Sequence, residues 1–441
     1  MKIAHEDRAA RVAHNRCMHI AAAGSGWSKS RILMLTDCYA PTVNGVVRSI
    51  VDLADGLRDA GHDVRVLTFG EGLGTSFDGH VYRLPSVSAG AVYPHARIGQ
   101  MIGRRVLRLV AEWAPDVVHS HTEFSAFLWA RAIARSTGAA LVHTYHTLYA
   151  DYTHYFCPSE RVGRALVRSC TRHVMNRPDR IIAPTGKVAS VLRDYGVGCP
   201  VDVIGTGVDL GRFRPDVLSD AAGPAPNSTS GSASRDLAVA VGLSPGVPAV
   251  LTVGRIAAEK NLRESLALLA RLDVPWQWLI VGDGPDAGNV RDHVGKLGVG
   301  DRVHMTGAVP ADEVPRYYGL GDVFLTSSRS ETQGLTCLES LASGVPVVCP
   351  ADEAFAGVVV DGINGHRYTG ADDFVAAMTA LLSDADLRRS RSIAARGSAG
   401  ALGRDRFVAE VLAAYGRARA DAMTRCRGIL RRRDAVRVRV R

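Results

Sequence analysis

Residues 31–69 of this 441-residue chain read RILMLTDCYAPTVNGVVRSIVDLADGLRDAGHDVRVLTF. This stretch begins and ends with short apolar runs, RILMLT and VRVLTF, whose composition predicts strands. Between these runs Val47, Ile50 and Ala54 recur at helical spacing, and Gly61 predicts the end of the helix. A strand, a helix and a second strand in this order predict a parallel βαβ unit.

The same alternation continues along the chain and predicts further strands. A chain of this length exceeds the roughly 250–300 residues at which single cores stop growing. We therefore expect an α/β protein with two doubly wound, Rossmann-like domains that face each other across a cleft. The further predicted strands are residues 116–121, 141–146, 180–185, 201–206, 249–254, 276–282, 302–307, 322–327 and 345–350.

Composition and periodicity predict six segments. The interval DVLSDAAGPAPNSTSGSASRD is rich in Pro, Gly and Ser and lacks an apolar period, which is typical of a linker. The predicted segments are a loose extension (1–30), a first Rossmann-like domain (31–215), a flexible linker (216–246), a second Rossmann-like domain (247–400), a helix that returns to the first domain (401–424) and an Arg-rich tail (425–441).

The net charge of +9 is unevenly distributed: +3 in residues 1–30, +5 in 31–215, −6 in 216–424 and +7 in 425–441. Only the basic first domain is therefore expected to face an anionic partner, either a lipid headgroup surface or a nucleic acid. The tail is compatible with either partner and also with a solubilising disordered end.

Cysteine usage and hydropathy predict the compartment. The eight cysteines occur singly, without a C-x-x-C motif, which fits a reducing cytosol. No apolar run approaches the roughly 18 residues of a transmembrane helix, and the first 30 residues lack the apolar core of a signal peptide. We expect a cytoplasmic protein whose contact with the inner face of the cell membrane is peripheral.

The first predicted βα loop, DCYAPTVNG, lacks the G-x-G-x-x-G pattern of dinucleotide-binding proteins, which disfavours a dehydrogenase. Its final residue, Gly45, still allows backbone N–H groups at a helix start to approach an anion. A plain turn at Asn44 and Gly45 is the alternative.

Two cations follow the first predicted strand of the second domain, at the sheet edge where ligands bind in such folds. The Arg255 guanidinium is suited to phosphate oxygens, and Lys260 adds a point charge. Together they would neutralise a departing diphosphate, although an isolated surface Arg or Lys is usually only a solvated charge.

The motif SETQGLTCLES contains two glutamates eight positions apart. Glu331 lies in a loop, whereas Gly334, Leu335 and Thr336 open the next helix, whose N–H groups and dipole can hold phosphates. Glu339, about one turn into that helix, is placed to accept two hydrogen bonds from a ribose diol. The alternative is a pair of acids that merely stabilise a helix start.

The segments VGRIAAEKN, VGDGP and SETQGLTCLESLASGVPVV, in this order, resemble the retaining nucleotide-sugar glycosyltransferases of the GT-B fold, and the resemblance spans about residues 31–420. It implies that the first domain binds the acceptor, that the second binds the nucleotide sugar, and that Arg255 and Lys260 bind the donor diphosphate. It also implies that Glu331 binds hydroxyls of the transferred sugar and that Glu339 binds the ribose.

In the first domain, YAPTVNGVVRSI, HSHTEFSAFLWARAIA and HTYHTLYADYTHYF resemble more narrowly the bacterial synthases that glucosylate diacylglycerol, and Gln333 points the same way. This resemblance implies UDP-glucose as donor and a lipid acceptor such as 1,2-diacylglycerol. It places His146 against the sugar and β-phosphate and Gly45 against the diphosphate; the alternative for His146 is a satisfied strand-end histidine. Three neighbouring histidines are expected to be structural or supporting: His119, His121 and His143.

Two features suit an anionic membrane surface. Residues 145–156 are rich in aromatic side chains, including Tyr149 and Tyr152, whose rings fit a headgroup-level interface. The predicted helix 97–113 is amphipathic and basic, as in helices that bind anionic lipid. The alternatives are core packing, base stacking on RNA and an ordinary domain helix. The basic residues singled out on this helix are Arg104, Arg105 and Arg108.

We expect no required metal or other cofactor, because the one D-x-D pair, Asp384 and Asp386, lies at a predicted helix start where acids favour the dipole. Two rival functions stay open. One is a GDP-mannose-dependent mannosyltransferase acting on phosphatidylinositol, another glycolipid or a soluble acceptor. The other is an RNA-binding protein that uses the tail; it leaves the cations and glutamates of the second domain unexplained, so we expect no nucleic-acid partner.

Overall fold

The computed structural model divides the described residues into two compact α/β units. Unit 1 comprises the residues up to Gly205 and those from Phe407 onward, and unit 2 is Thr206–Arg406. The predicted α/β class is confirmed. The residues that the structure describes are 29–42, 44–70, 74–88, 97–99, 104–155, 157–213 and 232–439.

The elements of unit 1 before its last helix are the strands β1 (Arg31–Leu35), β2 (Asp63–Gly70), β3 (Ser76–Phe77), β4 (Val81–Ser88), β5 (Arg97–Gly99), β6 (Val117–Ser120), β7 (Ala140–Thr144), β8 (Arg180–Ala183) and β9 (Val201–Val203), and the helices α1 (Gly45–Asp59), α2 (Arg104–Trp113), α3 (Ser125–Thr137), α4 (Glu160–Met175) and α5 (Gly186–Asp194). The described strands are ordered β3-β4-β2-β1-β6-β7-β8-β9, and β5 pairs with β4. Strands β3 and β5 run antiparallel to β4, whereas the other pairs are parallel.

Helices cover both faces of this sheet because β1 is apolar on both sides. Ile32 and Met34 pack into one buried cluster, and Leu33 and Leu35 pack into another on the opposite face. Helix α1 begins where predicted, since the Asn44 side chain caps it by accepting a 2.9 Å hydrogen bond from the Val47 amide. The doubly wound arrangement brings the loops after β1, β6 and β7 to one sheet edge.

The single helix predicted over residues 97–113 is wrong in its first part. Arg97–Gly99 forms β5, and the described helix starts at Arg104. Strand β5 forms hydrogen bonds with residues distant in the sequence. Arg97 Nε donates to Ser86 Oγ at 2.7 Å, and the Gly99 amide donates to Ser125 Oγ at 3.0 Å. These distant partners replace the local hydrogen bonds that the helical periodicity had predicted.

The elements of unit 2 are the strands β10 (Ala249–Val253), β11 (Gln277–Val281), β12 (Val303–Met305), β13 (Val323–Leu325), β14 (Val347–Pro350) and β15 (Gly365–Tyr368), and the helices α6 (Ser232–Ala240), α7 (Leu262–Leu269), α8 (Ala287–Leu297), α9 (Val314–Tyr318), α10 (Leu335–Ala342), α11 (Ala371–Ser383) and α12 (Ala385–Ala399). The strand order is β12-β11-β10-β13-β14-β15, with parallel pairing throughout. This doubly wound order has its switch point between β10 and β13.

The boundary of unit 2 differs from the predicted linker 216–246. Helix α6 lies inside that interval, and its Leu237 packs against the core of unit 2, as does the buried Leu243. Upstream, Phe213 is 2% exposed in the same core. Small and polar residues dilute these apolar positions, which explains why composition alone predicted a linker. Residues 214–231 lie outside the described residues.

The last helix, α13, runs from Arg404 to Arg439. Its residues from Phe407 onward belong to unit 1, where Val411 and Tyr415 are fully buried. Asp421 on this helix pairs with Arg180 of β8 at 2.7 Å. The helix thus continues through most of the segment predicted as a separate tail, 425–441, although the side chains after Thr424 lie outside the described residues.

Candidate functional site

In unit 2, the predicted donor residues lie on loops at the carboxyl ends of β10 and β13. Arg255 follows β10 and is half-buried, and a 3₁₀ turn, Ala258–Lys260, leads into α7. The Lys260 ammonium lies 2.5 Å from Glu331 Oε1, and their side chains are 34% and 18% exposed. Residues 71 positions apart in sequence therefore form an ion pair that is open enough to exchange partners with a ligand.

The loop after β13 leads into α10 through Gly334, which has the left-handed φ of 72°. A Cβ at this position would lie 2.7 Å from the Phe355 ring, so glycine is required on both grounds. Leu335 and Thr336 form the first turn, whose backbone N–H groups lack intrahelical acceptors and favour an anion. The structure thus places a helix start, whose N–H groups are suited to an anion, four residues after Glu331.

Glu339 lies one turn further along α10. Its Oε2 accepts a 2.8 Å hydrogen bond from the Tyr318 hydroxyl. Burial, together with Glu339, raises the pKa of Tyr318 well above its ordinary value, so the phenol stays protonated and remains a donor. Tyr318 was not identified from the sequence; it holds one carboxylate oxygen of Glu339 in place.

Gln333 has a role that the sequence did not indicate. Its side chain is buried and forms two hydrogen bonds with the backbone of Thr206: the Thr206 amide donates to Oε1 at 2.8 Å, and Nε2 donates to the Thr206 carbonyl at 2.9 Å. Thr206 is the first residue of unit 2. The loop that carries Glu331 is therefore fastened to the point at which the chain enters this unit.

In unit 1, His146 follows β7 and lies beside His121, which follows β6. His121 Nδ1 and His146 Nε2 are 3.1 Å apart. Burial lowers the pKa of His146 to about 3 and that of His121 well below its ordinary value. Both imidazoles are neutral near neutral pH, so His146 can donate or accept a hydrogen bond but contributes no positive charge.

Of the three neighbouring histidines, His119 and His143 are engaged at both ring nitrogens, whereas His121 Nε2 is buried with no hydrogen-bond partner among the described residues. His119 lies 2.8 Å from the Tyr415 hydroxyl and 2.7 Å from Thr144 Oγ1. His143 lies 2.8 Å from Ser120 Oγ and 3.3 Å from a carboxylate oxygen of Glu123. This bonding is what structural or supporting histidines require.

Two carboxylates at this edge of unit 1 were not identified from the sequence. Glu123 accepts a 2.5 Å hydrogen bond from the Tyr149 hydroxyl. Asp37, after β1, caps α3 by accepting from the Ala126 amide at 3.0 Å, while its Oδ2 is buried and has no hydrogen-bond partner among the described residues. Burial raises the pKa of Asp37 to about 6. Only their place at strand ends, in TDCY and HTEF, could have marked them.

The remaining predicted residues of unit 1 have different surroundings. Gly45 is exposed and opens α1 at the same sheet edge. Tyr149 points to Glu123 rather than to solvent, and Tyr152 is half-buried in the same 3₁₀ turn, Tyr149–Tyr155. Exposed side chains on α2 include Arg105 and Arg108; the side chain of Arg104 lies outside the described residues.

Asp384 caps α12 by accepting a 2.9 Å hydrogen bond from the Leu387 amide, which confirms the interpretation of the D-x-D pair as a helix start. Within the described ranges, no group of three or more His, Cys, Asp or Glu side chains is arranged to hold a metal ion. None of the described helices has both the length and the apolar character needed to span a bilayer.

Two doubly wound α/β units of this kind match the GT-B fold. The fold agrees with solved structures of this class. One is Anabaena HepE in complex with UDP and glucose, which is 18% identical, has a TM-score of 0.66 and is aligned over 87% of this chain and 100% of its own.

Residues 43–212 match the family model described as Glycosyltransferase Family 4, and residues 236–398 match that of Glycosyl transferases group 1. The alpha-monoglucosyldiacylglycerol synthase of Streptococcus pneumoniae is 31% identical over 363 residues, 81% of this chain and 79% of the relative. A GDP-mannose-dependent alpha-mannosyltransferase of Mycolicibacterium smegmatis is 30% identical over 378 residues, 83% and 92% of the two chains. The chain belongs to this family of glycosyltransferases and is a hexosyltransferase.

Proposed function

We propose that the protein is a retaining glucosyltransferase that moves glucose from UDP-glucose to a lipid acceptor such as 1,2-diacylglycerol. The observation that carries this proposal is the 2.5 Å pair of Lys260 and Glu331. It supplies a cation for a departing diphosphate and a carboxylate for sugar hydroxyls at the sheet edge where ligands bind. The similarity to a diacylglycerol glucosyltransferase supports the choice of donor sugar and acceptor.

On the donor side, Arg255 and Lys260 bind the diphosphate, with further N–H donors from the start of α10 at Gly334. When the donor enters, Lys260 shifts its attraction from Glu331 to the phosphate oxygens. The released Glu331 carboxylate then accepts hydrogen bonds from the glucose hydroxyls, and Glu339, held by Tyr318, accepts from the ribose diol.

On the acceptor side, the imidazoles of His121 and His146 are neutral, which suits an uncharged hydroxyl. His146 donates a hydrogen bond to the sugar or β-phosphate. In the transfer, the bond from the sugar's anomeric carbon to the phosphate oxygen breaks while the acceptor oxygen bonds to the same face of that carbon. The acceptor proton goes to the leaving diphosphate, so the protein mainly positions groups and stabilises charge, without a required metal or cofactor.

We further propose that the enzyme works in the cytoplasm at the inner face of the cell membrane. Arg105 and Arg108 on α2 are exposed beside Leu109, which is itself 42% exposed. Basic and apolar side chains together favour an anionic lipid surface. No nucleic acid partner is proposed, because such a partner leaves the donor residues without a role.

The second candidate is transfer of mannose from GDP-mannose to another lipid or a soluble acceptor. The observation that favours it is the similarity to the mannosyltransferase, which is as extensive as that to the glucosyltransferase. The two candidates share the diphosphate site and differ in the base, the sugar and the acceptor.

One experiment separates them. Purified protein is incubated with labelled UDP-glucose or GDP-mannose, with and without diacylglycerol vesicles, and the anomeric configuration of the product is read by NMR. With diacylglycerol vesicles present, we expect α-glucosyldiacylglycerol from UDP-glucose and no product from GDP-mannose. Product from GDP-mannose would favour the second candidate, and no product from vesicles with either donor would remove the lipid acceptor. A β-linked product would remove the retaining mechanism.

A further inference from the structure

We propose that the outer face of α4 docks on an anionic lipid bilayer and thereby presents unit 1 to its lipid acceptor. This inference rests on the proposed function, because it gives the acceptor a membrane source. The outer face is defined by two exposed aliphatic side chains and a row of arginines. Its members are Val162, Leu166, Arg161, Arg164, Arg168 and Arg172.

Helix α4 has two apolar sides, and only one of them packs against the described residues of unit 1. Gly163, Val167 and Thr171 recur every four residues and are buried against unit 1. On the opposite side, Val162 is 61% exposed and Leu166 is 53% exposed, one turn apart. Single exposed aliphatics are ordinary, but an adjacent pair on a helix face that is otherwise basic requires a reason.

The arginines supply that reason. They are spaced three or four residues apart, which places them along one flank of the helix, next to the aliphatic pair. The helix has one acid, Glu160, which pairs with Arg164 at 2.8 Å. The outer face therefore carries net positive charge beside an apolar pair. Interfacial helices that bind anionic lipids combine basic and apolar side chains in this way.

The position of α4 connects this face with the candidate site. The helix follows the 3₁₀ turn that carries Tyr149, and the two pack closely: a Cβ at Gly163 would lie 2.8 Å from Thr153 Cβ. The Tyr145 hydroxyl also lies 3.4 Å from Thr171 Oγ1 of α4. A bilayer against α4 would thus lie beside the segment whose Tyr149 hydroxyl binds Glu123.

A bilayer fits this face better than a nucleic acid does. Arginines alone would serve either phosphate-rich partner. Val162 and Leu166, however, gain free energy by entering the boundary between headgroups and acyl chains, whereas a nucleic-acid backbone offers them nothing comparable. The described outer face also lacks the aromatic side chains on which single-stranded bases stack.

The test measures co-sedimentation of the full chain with phosphatidylcholine vesicles, with or without phosphatidylglycerol. We expect binding only with phosphatidylglycerol, and weaker binding as salt rises from about 0.1 M to about 1 M, because the Debye length falls from about 10 Å to about 3 Å. The double variant Arg161→Gln/Arg172→Gln should weaken partition about 30-fold, at about 1 kcal/mol for each arginine. Val162→Ser/Leu166→Ser should weaken it at least about tenfold.

The matched control is Val239→Ser/Ile393→Ser, which removes two comparably exposed aliphatics, 67% and 68%, from unit 2. It should bind vesicles like the wild type. All three variants should glucosylate a water-soluble short-chain diacylglycerol at the wild-type rate. That assay separates the two proposals: its failure in the wild type would count against the proposed function, whereas the vesicle results concern α4 alone.

Three results would overturn the assignment. Both α4 variants could sediment with anionic vesicles as the wild type does, which would leave the outer face without a membrane role. They could retain vesicle binding and lose binding to single-stranded RNA, which would assign the face to nucleic acid. They could also convert a dimer to a monomer in sedimentation velocity without vesicles, with vesicle binding unchanged, which would assign the face to a second copy of the chain.

Discussion

The ligand edges of the two sheets share a topology but differ in electrostatics. In unit 2, charged groups meet at the edge, and Lys260 and Glu331 form an ion pair. In unit 1, neutral imidazoles meet after the carboxyl ends of β6 and β7, where His121 and His146 are 3.1 Å apart. The strand order determines where a ligand binds, whereas the residues on the loops determine which chemistry each edge can support.

Burial explains why the two edges differ. Desolvation lowers the pKa of His146 to about 3, so unit 1 carries no cation there. In unit 2, Lys260 is 34% exposed and remains in contact with solvent. Under the proposed function, unit 2 handles the charge of the diphosphate, and unit 1 handles an uncharged hydroxyl. Four measurements test this division.

The first prediction concerns the charged edge. Lys260→Ala and Glu331→Ala should each reduce turnover to background, a loss of at least about 10³-fold, because charge stabilisation at the departing diphosphate and sugar positioning are lost. Steady-state kinetics with the preferred donor measure the effect, and thermal unfolding checks that the variants remain folded. Near-wild-type rates in folded variants would contradict the assignment of these residues.

The second prediction concerns the attachment of the Glu331 loop. Gln333→Leu leaves the amide and carbonyl of Thr206 without their partners, so unit 2 should lose about 2–4 kcal/mol of stability. Displacement of the loop should also lower kcat about tenfold or more, because small misplacements of positioning groups are costly.

A matched control separates these two effects of Gln333. Gln277 is equally buried, and its side chain bonds to the amide of Ser244 and the carbonyl of Val247, at 2.8 Å and 2.7 Å. These contacts lie at the start of β11, away from the ligand edge. Gln277→Leu should therefore destabilise unit 2 and leave kcat unchanged. An equal loss of kcat in both variants would reduce Gln333 to a purely structural role.

Much of the fold could be predicted from local patterns, because parallel strands are apolar on both faces and the helices between them have a clear period. Strand β8 lies within the predicted 180–185, and β14 lies within 345–350. Helix α6 was missed because its apolar residues stand among small and polar ones. Strand β5 was missed because its partners, including Ser125, lie far along the chain.

The candidate site was predictable to a different degree in each unit. The cations and glutamates of unit 2 stand in motifs at strand ends and could be identified locally. The bonds between Gln333 and Thr206 join residues 127 positions apart, and the bond between Glu123 and Tyr149 joins residues 26 positions apart. Such partners depend on tertiary structure, and a sequence pattern specifies which residues are available but not which of them meet.

The third prediction concerns acid pH and the neutral edge. Burial lowers the pKa of His119, His121 and His146, so each binds fewer protons in the folded state than in the unfolded state. Unit 1 should therefore lose stability as the pH falls below about 6.5, by at most about 1.4 kcal/mol per pH unit for each histidine. Asp37 acts in the opposite sense below about pH 6, because its folded-state pKa is raised.

Hydrogen exchange resolved by peptide can measure this loss in each unit. In unit 2, burial lowers the pKa of His304, and no comparable set of buried imidazoles lies at the described ligand edge. Between pH 7 and pH 5, amides in β6 and β7 should therefore lose more protection than those in β10 and β13. An equal loss in both units would show that the neutral histidines do not set the acid stability of unit 1.

The fourth prediction is an expected absence of effect on chemistry. Among the described side chains, helix α13 contributes to the core of unit 1 as far as Ala422 and Met423, and removal of residues 425–441 keeps all of these residues. Single-turnover rates with a soluble acceptor should stay at the wild-type level, because none of the donor or acceptor residues is touched. Loss of eight arginines and one aspartate, a net +7, should instead weaken binding to anionic vesicles. Complete loss of single-turnover chemistry in a folded truncation would mean that the tail does more than localise the enzyme, and charge handling could then no longer be assigned to the edge of unit 2 alone.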